Sequence, residues 1–440
     1  MEGKRNFTRS NELARRAERL IPAGCHTYSK GRDQFPEYGP GVLVRGQGCR
    51  TWDADGNEFL DWGMGLRSVI LGHAYGPVLD VVREQLELGS NFTRPSALEG
   101  DLAEKIVELI PSAEMVKFAK NGSDVTTAAL RLARAFTGRD HVAFCKDHPF
   151  FSFDDWFIGT TPACAGIPAQ HVDLSHAFGY NDLASLEAVF QKHPGQIAAV
   201  ILEPVTVPEP AEGFLQGVRD LADRHGAVLI FDEMISGFRW HLKGAQHYFG
   251  VTPDLSTFGK AIGNGFSTAV LAGRSEIMEL GGLKHDQRRC FLLSATHGGE
   301  THALAAALKT IREIEEKDVV KHIWTIGEAL QTGLKQVAEK HGLSGRMEVT
   351  GYPCSPLVVF RDGGGNVSMP LRTLFLQEMI DRGVLIPYVA ICYSHDQAAV
   401  DETLAAADGA LAVCREAIDS DTVGEKLIGA PTKPVFREFN

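Results

Sequence analysis

The sequence has 440 residues, a length that suits one large two-domain enzyme or about three domains of ordinary size. Its 44 lysine and arginine residues against 56 aspartate and glutamate residues give a net charge of −12, which argues against a protein that coats nucleic acid or an anionic membrane. Hydrophobic residues at 44% and charged residues at 23% are typical of a globular chain and argue against a disordered or fibrous protein.

The eight cysteines are scattered, with no C-x-x-C pair and no cysteine–histidine cluster at zinc spacing. We therefore expect reduced thiols in a cytoplasmic protein, and no metal site. The N-terminal segment lacks the apolar core of a signal peptide, and no apolar run is long enough to cross a bilayer. Neither secretion nor membrane spanning is expected.

The N-terminal segment predicts one helix followed by short strands. Apolar residues repeat at helical spacing over residues 10–20, and Pro22 ends the pattern. Three β-rich segments come next, at residues 41–46, 49–52 and 58–62. The loop over 53–57 is rich in glycine and Asx residues, which favours a hairpin.

From about residue 75 onward, helical patterns alternate with short apolar runs. Helical periodicity covers 125–136 and 217–226. The apolar runs lack polar alternation, as expected of strands covered on both faces; they are residues 115–120, 141–146, 198–204, 227–233 and 268–273. This alternation predicts an α/β domain with a mostly parallel sheet, whose ligands bind at the carboxyl ends of the strands.

The C-terminal part has a long helical pattern over 301–341, an apolar run at 356–360 and a last helix around 401–418. We predict a large ligand-binding domain over residues 75–330. A small α+β domain would be built from the N-terminal residues 1–74 and the C-terminal residues 331–440.

Reactive side chains follow three of the strand-like runs. The first group is Asn121-Gly122-Ser123, between a run and a helical pattern. Backbone N–H groups at a helix start, together with a serine hydroxyl, form an anion site suited to a phosphate monoester. The alternative is that Ser123 is an ordinary N-cap.

The second group is Asp232, which follows five apolar residues. Burying a carboxylate is costly unless a cation compensates, and such a cation at ~4 Å returns roughly 4 kcal/mol at an effective dielectric constant of about 20. A protonated ring nitrogen could be that cation. The alternatives are a salt bridge to Arg239 or a carboxylate that caps the next helix.

The third group is Lys260, which lies between glycine and apolar residues. Desolvation lowers the pKa of an amine and favours the neutral nucleophile that forms Schiff bases with carbonyls. The alternative is an exposed lysine. A phosphate site, a buried carboxylate and a Schiff-base lysine are together the groups that pyridoxal 5′-phosphate requires of a protein.

The order of motifs resembles the class III (ω-type) aminotransferases of fold type I, in particular the branch of glutamate-1-semialdehyde aminomutase. The motifs are Asn-Gly-Ser at 121–123, Ile-Leu-Glu-Pro at 201–204, Phe-Asp-Glu at 231–233, Gly-Phe-Arg at 237–239 and Thr-Phe-Gly-Lys at 257–260. The resemblance extends over almost the whole chain, from residues 21–24 to 382–385. It implies a large domain with a mostly parallel, seven-stranded type of sheet.

The resemblance also implies the main catalytic and cofactor-binding roles. Lys260 would form the Schiff base with pyridoxal phosphate and carry the proton between the substrate's α-carbon and the cofactor. Asp232 would keep the pyridine nitrogen protonated. Asn121, Gly122 and Ser123 would bind the phosphate.

Four further cofactor contacts follow from the same resemblance. Phe150 would stack on the pyridine ring, Met234 would pack behind it, and Glu203 would lie near its active face. Thr296 would reach a phosphate across the interface of a homodimer, so that active sites lie at the interface. The alternatives are that Phe150 and Met234 are core residues and that Thr296 caps the following helix.

The sequence departs from the aminomutase branch where that branch binds its substrate. Residues 25–30 end in Lys30 where the branch has an arginine for the substrate carboxylate, and a lysine does not offer the same bidentate contact. Residues 64–68 lack the branch's tryptophan and contain Arg67, either an anion contact or a structural arginine. The branch's Ser-Ala-Phe-Glu-Ala loop is shortened at 387–392.

These departures favour an intermolecular aminotransferase over a mutase. Glutamate would donate the amino group, and an aldehyde or ketone would accept it, by analogy an oxidised sugar acid such as an octulosonate used for surface lipopolysaccharide. The alternatives are the aminomutase itself and a non-catalytic binding protein with the same fold. A nicotinamide dehydrogenase is disfavoured because no G-x-G-x-x-G follows a strand.

Overall fold

The computed structural model describes residues 4–205 and 208–438. The described residues form two compact units, one within Met1–Tyr75 and Lys321–Val435, the other within Gly76–Val320 and Phe436–Asn440. We call them the smaller and the larger unit. The domain boundaries predicted after residues 74 and 330 stay a prediction.

The strands are short, as is usual in α/β proteins. In chain order they are β1 (Leu43–Gln47), β2 (Arg50–Asp53), β3 (Glu58–Asp61), β4 (Met115–Ala119), β5 (His141–Cys145), β6 (Ser175–Phe178), β7 (Ile197–Leu202), β8 (Val228–Asp232), β9 (Leu255–Phe258), β10 (Ala269–Gly273), β11 (Met347–Thr350), β12 (Leu357–Phe360) and β13 (Val384–Leu385).

The helices range from single turns to 23 residues. They are α1 (Thr8–Glu18), α2 (Met64–Arg67), α3 (Gly76–Leu88), α4 (Ala97–Leu109), α5 (Gly122–Thr137), α6 (Asp155–Ile158), α7 (Ala169–Val172), α8 (Leu183–Lys192), α9 (Phe214–His225), α10 (Gly244–Phe249), α11 (Ser275–Met278), α12 (Thr301–Glu316), α13 (Val319–Lys340), α14 (Met369–Asp381) and α15 (Gln397–Asp419). Among the described residues, none of these helices is both long and apolar enough to cross a membrane.

A seven-stranded sheet forms the centre of the larger unit, in the order β4-β10-β9-β8-β7-β5-β6. Strand β10 runs in the direction opposite to that of the other six strands. All six residues of β7 are buried, because Ala199 and Ile201 pack on one face of the sheet while Val200 and Leu202 pack on the other. The predicted α/β fold with a mostly parallel sheet is confirmed.

The smaller unit contains a four-stranded sheet in the order β1-β2-β3-β13 and the two-stranded pair β11-β12. The predicted hairpin joins β2 and β3, which pair antiparallel. Asp53 closes the loop by accepting hydrogen bonds from the N–H groups of Asp55 at 2.9 Å and Asn57 at 2.8 Å. The short polar residues predicted to make the turn are therefore the ones that hold it.

Two sequence predictions about elements were incomplete. The single helix predicted over 301–341 is two helices, α12 and α13, separated at Asp318, which has a left-handed φ of 49°. The strand expected before Lys260 had no predicted bounds, because Ser256 and Thr257 interrupt the apolar pattern of β9. Both hydroxyls have buried partners: Ser256 pairs with Ser112 at 2.6 Å, and Thr257 donates to a carboxylate described below.

Candidate active site

The candidate residues of the larger unit follow strands that end at one edge of the seven-stranded sheet. Strands β7, β8 and β9 are parallel, and β4 has the same direction because both it and β9 are antiparallel to β10. Glu203, Asp232, Lys260 and Asn121 come at or within two residues of these strand ends. The carboxyl edge of a parallel sheet is where α/β proteins bind ligands.

Asp232 is the last residue of β8 and is 2% exposed. Its Oδ1 accepts hydrogen bonds from the N–H of Met234 at 3.0 Å and the hydroxyl of Thr257 at 3.1 Å. Burial raises the pKa of this carboxyl to about 6, although the charge of Lys260 and both hydrogen bonds lower it. Asp232 is therefore a desolvated acid whose charged form needs a cation, and Lys260 is close enough to act on it.

Glu233, and not Asp232, caps the next helix. Its carboxylate accepts hydrogen bonds from the backbone N–H groups of Ala245 and Gln246 at the start of α10, and from the side chains of Gln246 at 3.0 Å and Ser236 at 3.2 Å. Burial raises the pKa of Glu233, and these donors lower it. The helix-capping alternative for Asp232 is thus wrong, since its neighbour does this.

Lys260 follows β9 and starts a 3₁₀ turn over Lys260–Gly263. Its φ of 44° lies in the left-handed region, which costs a lysine on the order of 1 kcal/mol. The turn is kept by the hydrogen bond from Ile262 N–H to Gly259 O at 3.2 Å and by full burial of Ala261 and Ile262. Lys260 is half-buried, so the alternative of an ordinary exposed lysine is wrong.

The start of α5 has the arrangement expected of an anion site. Asn121 is its N-cap: its Oδ1 accepts from Asp124 N–H at 3.1 Å, and Gly122 and Ser123 form the first turn, where N–H groups lack intrahelical acceptors. The Ser123 hydroxyl accepts from Phe153 N–H at 3.0 Å, which leaves its proton to donate. Ser123 is therefore not the N-cap, the simpler alternative for this residue.

Met234 lies between the start of α5 and the turn that contains Lys260. It is 7% exposed, and a Cβ added at Gly122 would lie 3.2 Å from its sulfur, while one added at Gly259 would lie 2.6 Å from it. The sulfur thus fills the space left by two glycines, one at the phosphate-site turn and one beside Lys260. Asp232 lies two residues before it, so the proposed anion site, carboxylate and lysine converge on one side chain.

Glu203 follows β7 and is 3% exposed. Its backbone N–H donates to Nδ1 of His148 at 3.1 Å, and burial lowers the pKa of His148 to about 3. The His148 ring is therefore neutral and carries its proton on Nε2, which has no hydrogen-bond partner among the described residues. His148 was not predicted as a site residue, because a lone histidine in a loop has no distinguishing pattern.

Phe150 and Thr296 are both exposed. Phe150 is 44% exposed and packs edge to face on Phe157, with ring centroids 5.9 Å apart. It is therefore not a core residue. Thr296 does not cap α12, because the N-cap position belongs to Glu300. Its carbonyl accepts a hydrogen bond from the side chain of Asn91 at 3.1 Å.

An ion pair ties the loop of Thr296 to the anion-site turn within one chain. Lys120 Nζ lies 2.8 Å from Glu300 Oε2, and this hydrogen bond lowers the pKa of Glu300. The backbone carbonyl of Lys120 also accepts from the hydroxyl of Ser267. Sequence analysis missed this pair, because its members lie 180 residues apart.

The two predicted substrate contacts belong to the smaller unit. Lys30 is exposed at the end of a 3₁₀ turn over Tyr28–Lys30. Arg67 is half-buried, with its guanidinium carbon 5.0 Å from the centre of the Tyr388 ring. It ends a turn in which Met64, Gly65, Leu66 and Arg67 all have left-handed φ angles between 40° and 67°. Such strained turns are concentrated at functional sites.

Pyridoxal phosphate fits the side chains at the strand ends of the larger unit. The N–H groups and hydroxyl at the start of α5 suit a phosphate, and the absence of a Cβ at Gly122 and Gly259 lets the Met234 sulfur lie against both turns. Asp232 would supply a buried anion for the pyridine nitrogen, and Lys260 would supply an amine for the carbonyl carbon.

Comparison with known proteins agrees with this chemistry. The family model for class III aminotransferases matches residues 34–184 and 179–387. A 3-aminobutyryl-CoA aminotransferase of Cloacimonas acidaminovorans (strain Evry) is 34% identical over 415 residues, which are 92% of this chain and 96% of that protein. A glutamate-1-semialdehyde 2,1-aminomutase of Methanothrix thermoacetophila is 35% identical over 428 residues, 91% of this chain and 96% of that one.

Among solved structures, the FumI protein of Sphingopyxis sp. MTA144, in its PLP internal aldimine form, superposes with a TM-score of 0.86 at 29% identity. The match covers 94% of this chain and 98% of FumI. The chain therefore belongs to the class III aminotransferase family and has the fold type I architecture. It is a transaminase whose cofactor is pyridoxal 5′-phosphate, as the sequence predicted.

Proposed function

We propose that this protein transfers an amino group from an amino acid donor, L-glutamate, to a separate aldehyde or ketone acceptor. The proposal is supported by the Met234 sulfur, which lies against Gly122 and Gly259, and by the charge interaction between Asp232 and Lys260. When bound, the cofactor supplies the carbonyl that takes up the amino group and the ring that withdraws electrons from the substrate's α-carbon.

Each strand-end residue then has one task. Asn121, Gly122 and Ser123 bind the cofactor phosphate, and Asp232 holds a proton at the pyridine nitrogen. Lys260 binds the cofactor's carbonyl carbon through Nζ and moves a proton to and from the substrate's α-carbon. Its half-buried position limits access of water to that nitrogen.

The remaining cofactor contacts lie around the ring or reach a phosphate. Met234 packs behind the ring plane, where its sulfur already fills the space between two glycines. Phe150 covers the ring from its exposed position after β5, and Glu203 lies near the ring's active face, held in part through its backbone contact with His148. Thr296 donates to a phosphate of the partner subunit in a homodimer, which its exposure permits.

Arg67 binds an anionic group of the substrate, with Lys30 as a second, more exposed contact. The strained turn supports this assignment, since three non-glycine residues in left-handed conformation cost on the order of 1 kcal/mol each. An acidic acceptor such as an oxidised sugar acid, an 8-oxo octulosonate of surface lipopolysaccharide for example, fits these cations. The Cloacimonas relative adds an acyl-CoA with a β-amino group as another anionic substrate to test.

The second candidate is glutamate-1-semialdehyde aminomutase, favoured by the 35% identity with the Methanothrix enzyme. A mutase would return the amino group to the same carbon skeleton and would not need a donor. The replacement of the branch's substrate arginine by Lys30 supports the intermolecular reaction instead, because a lysine lacks the bidentate geometry for a carboxylate.

The test separates the two half-reactions. Holoenzyme mixed with L-glutamate should lose the visible absorption of its bound cofactor and release 2-oxoglutarate, and adding an accepted aldehyde or ketone should restore the absorption. Glutamate-1-semialdehyde converted to 5-aminolevulinate at the same rate with and without a donor would establish the mutase. No change with any amino acid and no conversion of the semialdehyde would point to the non-catalytic binding protein.

A substitution of Arg67 sharpens the substrate assignment. Arg67→Ala should raise KM for an anionic acceptor about tenfold, since a charged hydrogen bond contributes ~1.5 kcal/mol or more, and should leave the cofactor spectrum unchanged. Neutral aldehydes of similar size are the control substrates. Equal KM values for the anionic acceptor and donor in both proteins would remove Arg67 from substrate binding.

We also propose that the protein acts in the cytoplasm as a homodimer. Among the described residues no disulfide joins any of the eight cysteines, which agrees with a reducing compartment. Sedimentation of holoenzyme should give a dimer. Mixed dimers of Lys260→Ala and Thr296→Ala chains should regain only part of wild-type activity, and an active monomer would contradict the assignment of Thr296.

A further inference from the structure

A second cluster of reactive side chains lies where strands β5 and β6 begin, at the amino ends of the parallel strands and opposite their carboxyl ends. His141 is the first residue of β5, His176 lies in β6, and His193 is the C-cap residue directly after α8. One ring nitrogen from each lies within 4.8 Å of those of the other two. Sequence spacing gave no sign of this cluster, because the three residues are 35 and 17 positions apart and meet only through strand pairing.

The backbone fixes the three positions. Strand β5 pairs in parallel with β6, with Ala143 opposite His176, so His141 and His176 are diagonal neighbours. The third histidine is held by a turn, in which Gln196 N–H donates to His193 O at 3.1 Å and His141 N–H donates to Gln196 O at 3.2 Å. The cluster therefore rests on the sheet and not on a flexible loop.

The rings contact each other more than they contact other polar groups. Nδ1 of His141 lies 2.7 Å from Nε2 of His176, and the rings of His176 and His193 are stacked with centroids 3.8 Å apart. Nε2 of His193 is buried and has no hydrogen-bond partner among the described residues.

We propose that His141, His176 and His193 form a site for a divalent transition metal, Zn²⁺ above all. Three neutral imidazoles are a ligand set that zinc accepts, with the fourth position left for water. With Zn–N distances of about 2.05 Å, a tetrahedral site needs nitrogens ~3.3 Å apart. The nearest nitrogens of His141 and His176 are 2.7 Å apart, and one nitrogen of each histidine lies within 4.8 Å of the others, so the spacing that zinc needs lies inside these limits.

Two features set the expected affinity. The rings are half-buried beside the edge strand β6, so a metal ion can enter from solvent. No carboxylate belongs to the cluster, and Lys192 adds positive charge next to it. The site should therefore bind zinc more weakly than a structural zinc site does, and removing the Lys192 charge should tighten binding.

This site is separate from the proposed active site. His141 lies at the amino end of β5, whereas Asp232 lies at the carboxyl end of β8, and a five-residue strand is about 13 Å long between its terminal residues. Substitutions in the cluster should leave the visible absorption of the bound cofactor unchanged. That absorption therefore reports whether a variant is folded.

The experiment uses the holoenzyme and zinc chloride alone. Equilibrium dialysis at pH 7.5 with elemental analysis should give about one zinc per chain more in the wild type than in His176→Gln, and zinc affinity at least ~10-fold weaker in His193→Ala. His171→Ala, an exposed histidine outside the cluster, is the matched control and should bind as the wild type does. Lys192→Ala should bind severalfold more tightly.

Cobalt(II) identifies the ligands independently. Bound to the wild type, it should show the visible bands of a nitrogen-ligated tetrahedral ion and no thiolate charge-transfer band, and both His176→Gln and His193→Ala should lose these bands. Equal zinc binding by wild type and His176→Gln, or cobalt bands of thiolate type that persist in the variants, would overturn the proposal. Absence of zinc binding by the wild type would overturn it as well.

Discussion

Asp232 and Glu233 are neighbouring carboxylates at the end of β8, but they contact different parts of the larger unit. Glu233 faces the start of α10 and accepts hydrogen bonds from backbone and side-chain donors on both of its oxygens. Asp232 faces the other strand ends, has both of its neutral donors on Oδ1, and interacts with the charge of Lys260. Burial is nearly the same, so the difference lies in what compensates the charge. Hydrogen bonds from the protein compensate the charge of Glu233, so this carboxylate stabilises the fold. The charge of Asp232 is balanced by the amine of Lys260, so this carboxylate can bind a cationic ligand.

The largest expected effect comes from the amine in this comparison. Lys260→Ala should lower turnover at least ~10⁴-fold, because it removes both the nucleophile and the proton carrier. It should also shift the visible absorption of the bound cofactor. Lys243→Ala, an exposed lysine beside α10, is the control and should retain both properties. An unchanged spectrum in Lys260→Ala would show that another amine binds the cofactor.

The two carboxylates can be tested against each other directly. Asp232→Asn should slow both half-reactions by ~10²- to 10³-fold, since a charge pair at ~4 Å contributes up to about 4 kcal/mol at an effective dielectric constant near 20. Stopped-flow absorbance of the cofactor measures each half-reaction. The free energy of unfolding of the apoenzyme should not fall, because the buried charge is removed together with its desolvation cost.

Glu233→Gln should show the reverse pattern. It places an amide NH₂ group where the backbone N–H of Ala245 now donates, so the apoenzyme should lose about 2 kcal/mol of unfolding free energy in urea. Rates should stay within about threefold of the wild type while the protein is folded. A large loss of rate in Glu233→Gln with unchanged stability would break the division of tasks between the two residues.

The shape of the cofactor site gives a smaller effect. Gly259→Ala places a Cβ at 2.6 Å from the Met234 sulfur, so Met234 must move, and such overpacking costs ~1 kcal/mol or more. Cofactor affinity should fall about tenfold by fluorescence titration. Met234→Val, which shortens the side chain, should recover most of the loss in the double variant. If the double variant does not recover cofactor affinity, the contact between a Cβ at position 259 and Met234 is not the cause of the loss.

Sequence reasoning could propose site residues where chemistry and strand signal coincide in one short segment. Asp232 follows five apolar residues, Lys260 lies between glycine and apolar residues, and Asn121-Gly122-Ser123 begins a helix, so each could be proposed from its own segment alone. The continuous apolar pattern of β7 likewise predicted a strand covered on both faces.

Sequence reasoning failed where the structure depends on pairing between distant segments. Strand β9 has buried hydroxyls that only their partners Ser112 and Asp232 make tolerable. His148 could not be predicted, because its hydrogen-bond partner is a backbone N–H 55 residues away. The histidine cluster depends on the parallel register of β5 and β6, and no local pattern encodes a register between strands so far apart.

The smallest expected effect is the pH dependence of apoenzyme stability. The folded-state pKa of Asp232, about 6, lies above its ordinary value of 3.8, so the folded state keeps its proton longer than the unfolded state does. Stability is therefore lost as the pH rises from about 4 to 6, and it is constant above this window as far as Asp232 is concerned. The apo form of Asp232→Asn lacks this loss.

The measurement compares urea unfolding of wild-type and Asp232→Asn apoenzyme at pH 5 and pH 7.5. Between pH 5 and pH 7.5 the free energy of unfolding of Asp232→Asn should rise relative to that of the wild type. Glu233→Gln keeps Asp232, so its stability should still show the loss with rising pH that Asp232 causes. Bound pyridoxal phosphate should reduce the stability difference between Asp232→Asn and the wild type at pH 7.5. The reason is that a protonated ring nitrogen compensates the Asp232 charge, whereas in the apoenzyme the compensating cation is Lys260. A gap that is independent of pH would mean that Asp232 titrates as an ordinary exposed carboxyl group, and the contrast with Glu233 would then lose its electrostatic basis.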